Sequence, residues 1–183
     1  MLKYSIIIFV ISIIVFSTNG QVNNCLSYEN NIYQVTTTFP NYKSFYSMIT
    51  LLPKGLSYEV ISIAMGMNEA ELGLNLKVST LIGQYQCANT SSVYLKSVGY
   101  LFKSDETAIL PTMDRISRHD YYLNFPANDS TICTGQVTYT YFQTGSNPYI
   151  SSNKPIFTFA HGNITCSLLP RKHYTKLTNT TQA

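Results

Sequence analysis

At 183 residues the chain holds one domain, or one domain with a targeting segment. Charged residues make up 11 %, and twelve Lys and Arg nearly cancel nine Asp and Glu to leave +3. An average soluble chain is about 25 % charged. So small and even a charge balance excludes an acidic disordered tail protein and argues against a strongly basic nucleic-acid binder.

The N-terminus is read first. Lys3 supplies a positive start, Ile6 to Phe16 is apolar apart from Ser12, and Ser17, Thr18, Asn19 and Gly20 are small and polar. This is the three-part plan of a secretory signal peptide, with Thr18 and Gly20 suited to the −3 and −1 positions of the cleavage site. The apolar run falls short of the roughly 20 residues of a membrane span. Residues 1–20 are therefore expected to be a signal peptide and residues 21–183 a single secreted β-domain with a polar C-terminal tail. That remainder keeps 11 of the 12 bases and all nine acids, for a net charge of +2, and Leu177 to Ala183 carries no membrane or lipid-anchor signal. The expected product is soluble and extracellular, with no membrane span.

Secretion changes how cysteine is read. Cys25, Cys87, Cys133 and Cys166 are even in number and show no CxxC spacing, so two disulfides are expected rather than a metal knuckle. Cys133–Cys166 with Cys25–Cys87 is the favoured pairing, because short loops and neighbouring strands are the commoner case. Four sequons at Asn89, Asn128, Asn163 and Asn179 each have Ser or Thr two residues on, as N-glycosylation requires. Each used site must lie on the surface.

The rest of the chain reads as strands. Tyr33, Val35, Thr37 and Phe39 fall in phase between Ile32 and Phe39. Tyr46 to Leu52 and Tyr58 to Met67 continue the pattern around a turn at Pro53, Lys54 and Gly55. Leu72, Leu74, Leu76 and Val78 alternate with Gly73, Asn75, Lys77 and Ser79, the mark of a half-buried antiparallel strand. Tyr94, Val98, Tyr100 and Phe102 share one face of a further strand. Ile132 to Gln143 is rich in Thr, Val and Tyr, a turn follows at Gly145 to Pro148, and another strand begins at Ile156. Lys103 to Ser130 reads as an irregular insert with a short helix over Thr112 to Leu123, capped by Thr112 and with Ile116 inward. The expected fold is all-β: a single antiparallel β-sandwich, or partly closed barrel, of about seven to nine strands.

Chemistry is sparse. His119 sits between Arg118 and Asp120, but neighbours on a strand or helix point apart, so the pair alone defines no acid–base site. His161 precedes an expected turn at Gly162 and Asn163, and His173 lies in the tail. Glu69 and Glu71 share a face at period two, too few oxygens for calcium. No nucleophile-elbow, zinc or phosphate-loop motif occurs. No catalytic residue, metal site or cofactor is therefore assigned, and the chain is read as a non-enzyme. The basic tail of Arg171, Lys172, His173 and Lys176 reads as solvated.

Tyrosine is the abundant contact-forming residue: 15 Tyr and no Trp. Tyr gives contact area at low entropic cost, so the loop candidates Tyr121, Tyr122 and Tyr149, with His119, are the speculative binding residues. The function expected is capture of an extracellular protein ligand, in the manner of an immunomodulator that sequesters a chemokine or cytokine. A basic chemokine would call for an acidic face, sought around Asp105, Glu106, Asp114 and Asp120. The alternative is an extracellular carrier of a lipid or small apolar ligand, lined by Met48, Met65, Met67 and Phe102. A further alternative is a secreted hydrolase or nuclease using His119 and His173.

Overall fold

The computed structural model describes residues 27–40, 44–62, 67–69, 74–103, 112–127 and 129–170. The expected signal peptide, Cys25, Asn128, Asn179, Met65, Glu71, Asp105, Glu106 and the basic tail lie outside these. Ten strands form: β1 (Ile32–Thr38), β2 (Phe45–Leu52), β3 (Leu56–Ile61), β4 (Met67–Glu69), β5 (Leu74–Val78), β6 (Leu81–Asn89), β7 (Ser92–Lys103), β8 (Thr112–Asn124), β9 (Ile132–Gln143) and β10 (Phe157–Leu168). Strand order is β4-β5-β7-β6-β3-β2-β1-β10-β9-β8, and a further β7–β8 pairing closes the ring.

The result is a closed eight-stranded antiparallel barrel rather than a two-sheet sandwich. Its strands follow one another around the ring up and down, with β4 and β5 as an insertion beside β7. Alternation along each strand is the same whether an inner face meets a second sheet or its own far wall. What separates the two is closure, here made by β10 on β1 and β7 on β8.

The expected helix over Thr112 to Leu123 is instead the 13-residue strand β8, paired along its length with β7 and β9. Half of the expected irregular insert is thus barrel wall. In β10, Ala160 and His161 bulge out between Phe159 and Gly162, with His161 at φ 63°, so the expected turn is an irregularity inside a strand. Asn163 accordingly sits on the strand wall.

Crowding shapes the ring. A Cβ on Gly83 of β6 would lie 2.3 Å from the Lys96 carbonyl and 2.8 Å from Ser57 Oγ, so only glycine allows β6 so close to its neighbours. Gly162 likewise leaves room for the ring of Phe39, which seals that end of the barrel against Tyr139. At the opposite end Tyr28 stacks on Phe125 with centroids 4.3 Å apart and donates to the Thr90 carbonyl.

One of the two expected disulfides is described. Cys133 and Cys166 face each other across β9 and β10, with Cα atoms 4.8 Å apart. The Cys25–Cys87 pairing falls on an undescribed residue, and no free cysteine occurs among the described ones. The Cys133–Cys166 link closes a separation of 33 residues, so removing it restores chain entropy to the unfolded state. The double variant Cys133→Ala, Cys166→Ala is expected to lose about 3 kcal/mol, read as a lower denaturant midpoint.

Candidate functional site

Two arrangements stand out, one inside the barrel and one outside. The interior one centres on Glu59 of β3. Its carboxylate is fully buried and accepts three hydrogen bonds: Ser97 Oγ from β7 at 2.6 Å, His119 Nδ1 from β8 at 2.9 Å and Tyr121 OH from β8 at 2.5 Å. His119 Nε2 meets Ser117 Oγ at 2.9 Å, and its ring stacks on Tyr139 with centroids 4.0 Å apart. Tyr139 reaches Thr37 of β1. These bonds cross the barrel from β3 to β7 and β8, and from β9 to β1.

Electrostatics follow from this geometry. Burial raises the Glu59 carboxyl, but the attraction of His119 and the bonds from His119, Ser97 and Tyr121 outweigh it and hold the carboxyl below its ordinary value. Burial and the adjacent Glu59 push the Tyr121 and Tyr139 hydroxyls up. Facing a carboxylate, Nδ1 of His119 must be the protonated nitrogen.

Ser117, His119 and Glu59 stand in the order hydroxyl, imidazole, carboxylate, which is the order of an acyl-transfer relay. A nucleophile must be reached by its substrate. Ser117 and His119 are 1 % and 2 % exposed and point into the barrel, so this relay acts as a cross-brace. Among the described residues no group of three or more His, Cys, Asp or Glu converges for a metal.

The sequence-derived candidates separate accordingly. Tyr121 and His119 are interior, 1 % and 2 % exposed, and neither is a loop contact residue. Tyr122, the next residue along β8, faces outward, its ring 4.7 Å from that of Tyr94. Tyr149 is exposed on the loop between β9 and β10, and that loop is held against the outer wall by Arg118 Nη1 donating to the Pro148 carbonyl at 2.6 Å. Asp120 faces outward, bound by Arg118 Nε at 2.8 Å and Lys96 Nζ at 3.5 Å, so it contributes no acidic face. Asn89 and Asn163 are both exposed, and Asn89 Oδ1 accepts from the backbone and hydroxyl of Ser91.

The outer arrangement was not among the candidates. On β3 the apolar residues Leu56, Tyr58 and Val60 face solvent while Ser57 and Glu59 face inward with Ile61. Tyr46 and Met48 of β2 and Ile82 of β6 extend the same surface: Met48 lies opposite Val60, and Tyr58 opposite Ile82. Tyr58, Val60 and Ile82 are 45 %, 39 % and 61 % exposed. The other side of the ring differs. Outward positions on β1, β9 and β10 include Gln34, Thr36, Thr134, Gln136, Asn163 and Thr165, with Ile132 and Phe157 as exposed apolar residues at strand starts. No helix among the described residues is long and apolar enough to cross a membrane.

No protein-family model, curated protein or solved structure matches the chain.

The interior cluster has a definite pH signature. Glu59 has a lowered folded-state value, so its contribution is present above its unfolded value near 4.5 and is lost as pH falls through the folded value. Tyr121 and Tyr139 are raised, so theirs is present below 10.0 and is lost as pH rises towards their folded values. Thermal stability is expected to be flat between these limits and to fall on both sides. Glu59→Gln leaves His119 Nδ1 and Tyr121 without a charged acceptor. It is expected to lose about 3 kcal/mol at neutral pH and to flatten the acid limb. An unchanged acid limb in calorimetric scans from pH 3 to 7 would place the acid sensitivity elsewhere.

Proposed function

We propose that the chain is a secreted, N-glycosylated, non-catalytic binding module that captures an extracellular protein ligand through the outer wall of β2, β3 and β6. One observation carries this reading: β3 turns Leu56, Tyr58 and Val60 to solvent while Glu59 is turned inward. Burying such a side chain is worth about 1.5–3 kcal/mol, and contiguous exposed apolar patches mark interaction sites. Tyr46, Met48, Tyr58, Val60 and Ile82 supply the aromatic and aliphatic anchors that interface centres favour.

Three further observations support it. The exposed sequons Asn89 and Asn163 lie on the β6–β7 turn and on β10, and β10 is the strand opposite β6 in the ring. A glycan at Asn163 would leave the apolar wall clear. The Cys133–Cys166 disulfide suits an oxidising compartment. The wall itself carries no charge, which suits a ligand that presents an uncharged surface more than a basic chemokine steered by acidic groups.

The carrier reading is second. Eight-stranded barrels can hold one small ligand, and the Ser47 and Ser57 hydroxyls are buried without a partner among the described residues. Against it, Met48 faces outward, and Tyr33, Ile49, Leu51, Leu81, Leu95 and Tyr121 occupy the interior. Native mass spectrometry of protein secreted from eukaryotic cells separates the two. A clean glycoprotein mass is expected, and a further few hundred daltons lost on denaturation would put the carrier first.

The binding reading is tested by immobilising the secreted protein and screening extracellular proteins. A ligand tighter than about micromolar is expected (about −8 kcal/mol). Tyr58→Lys and Ile82→Lys should each weaken it by more than about tenfold while moving the unfolding midpoint little, since both side chains already face water. Full affinity in both variants would exclude this wall.

A further inference from the structure

Beside the apolar wall, the outer faces of β6, β7 and β8 enclose a groove of about 520 Å³ lined by Gln84, Gln86, Tyr94, Lys96 and Asp120. Two rungs of the sheet build it. Gln86, Tyr94 and Tyr122 lie side by side on one, and Gln84, Lys96 and Asp120 on the next. Its size falls within the range of small-ligand sites, roughly 300–1,000 Å³.

The chemistry of the lining narrows the occupant. Arg118 and Lys96 together already hold the Asp120 carboxylate, so the trio keeps one net positive charge and disfavours a cation. A wholly apolar ligand would strip water from Gln84 and Gln86 and return no hydrogen bonds. What suits the two glutamines and the exposed ring is a ligand with closely spaced hydroxyls and one apolar face. Each glutamine amide offers both donor and acceptor atoms, the pattern that adjacent hydroxyls satisfy. The Tyr94 ring, 49 % exposed and propped against Tyr122 at 4.7 Å and 46°, gives a fixed platform for a ring's C–H face. We infer that this groove binds a pyranose residue of a saccharide carried by another molecule. The inference stands apart from protein capture by the β2–β3–β6 wall, although a glycoprotein ligand would engage both surfaces.

The test uses the secreted protein, enzymatically deglycosylated, and a panel of neutral glucosides, galactosides, mannosides and N-acetylglucosaminides. Binding is followed by saturation-transfer NMR and by tyrosine emission, which no tryptophan obscures. At least one sugar should receive saturation concentrated on one ring face. Tyr94→Ala should weaken it by about tenfold or more, Gln84→Ala and Gln86→Ala should each weaken it less, and Ile82→Lys on the neighbouring wall should leave it unchanged. Tyr94 faces solvent, so its variant is expected to fold, and a matching melting curve checks this. Transfer to no sugar in the panel would overturn the inference, as would transfer undiminished in folded Tyr94→Ala. The Asn89 sequon closes the same β6–β7 hairpin, so its own glycan is the competing occupant. If the glycosylated protein binds the panel only after Asn89→Gln, the groove belongs to the chain's own glycan and the inference fails.

Discussion

A carboxylate sealed inside a protein must be answered by donors, and the donors that answer Glu59 come from strands that β3 does not pair with. Ser97 on β7, and His119 and Tyr121 on β8, reach across the interior to β3. Breaking a buried pair of this kind by removing one partner costs about 3–5 kcal/mol, because it strands a charge without solvent. The constraint is therefore positional. β3 and β8 can slip neither past each other nor by one residue, since a one-residue slip would turn Glu59 out and leave His119 and Tyr121 facing nothing. Tyr139 and Thr37 carry the brace on to β9 and β1.

The same constraint shapes the outside. Side chains along a strand alternate, so fixing Glu59 inward fixes Tyr58 and Val60 outward. On an ordinary barrel strand those positions are polar, as at Gln34, Thr36, Thr134, Gln136, Asn163 and Thr165. Here the pleat presents a row of apolar residues, and β2 and β6 add Met48 and Ile82 beside it. The interior polar cluster and the exterior apolar wall are thus two faces of one choice of register.

This inversion also explains what was legible in the sequence. The all-β class, the phase of Tyr33, Val35 and Thr37, the turn at Gly145 and the Cys133–Cys166 pair could all be read, because each follows from local alternation, turn chemistry or spacing. The strands not read as such were β6, which was passed over, and β8. The inward set of β8 includes Ser117, His119 and Tyr121, so hydrophobicity shows no period of two there and a helix looked as good. On β3 the apolar set marks the outer face, the reverse of the usual rule. Tyr121 and Tyr122 looked equivalent as a pair, and only the pleat sends one to the core and the other to the surface. Closure into a barrel was not legible at all, since it depends on β10 meeting β1 across more than 120 residues of chain.

The outer surface then divides by chemistry around the ring. The β2–β3–β6 wall is uncharged and apolar, the β6–β7–β8 groove mixes glutamine and charged groups with aromatic and aliphatic surface, and the β1–β10–β9 side is rich in Thr, Gln and Asn. Strand β6 carries the boundary within itself: Ile82 belongs to the apolar wall, and Gln84 and Gln86 belong to the groove. A ligand seated over β6 would meet apolar anchors on one flank and hydrogen-bonding groups on the other, the core-and-rim composition of specific interfaces. Rigidity supports this arrangement. The platform residues stand on long, doubly paired strands braced from within, so a bound partner would not have to order them. The interior cluster in this way holds the outer wall in one shape.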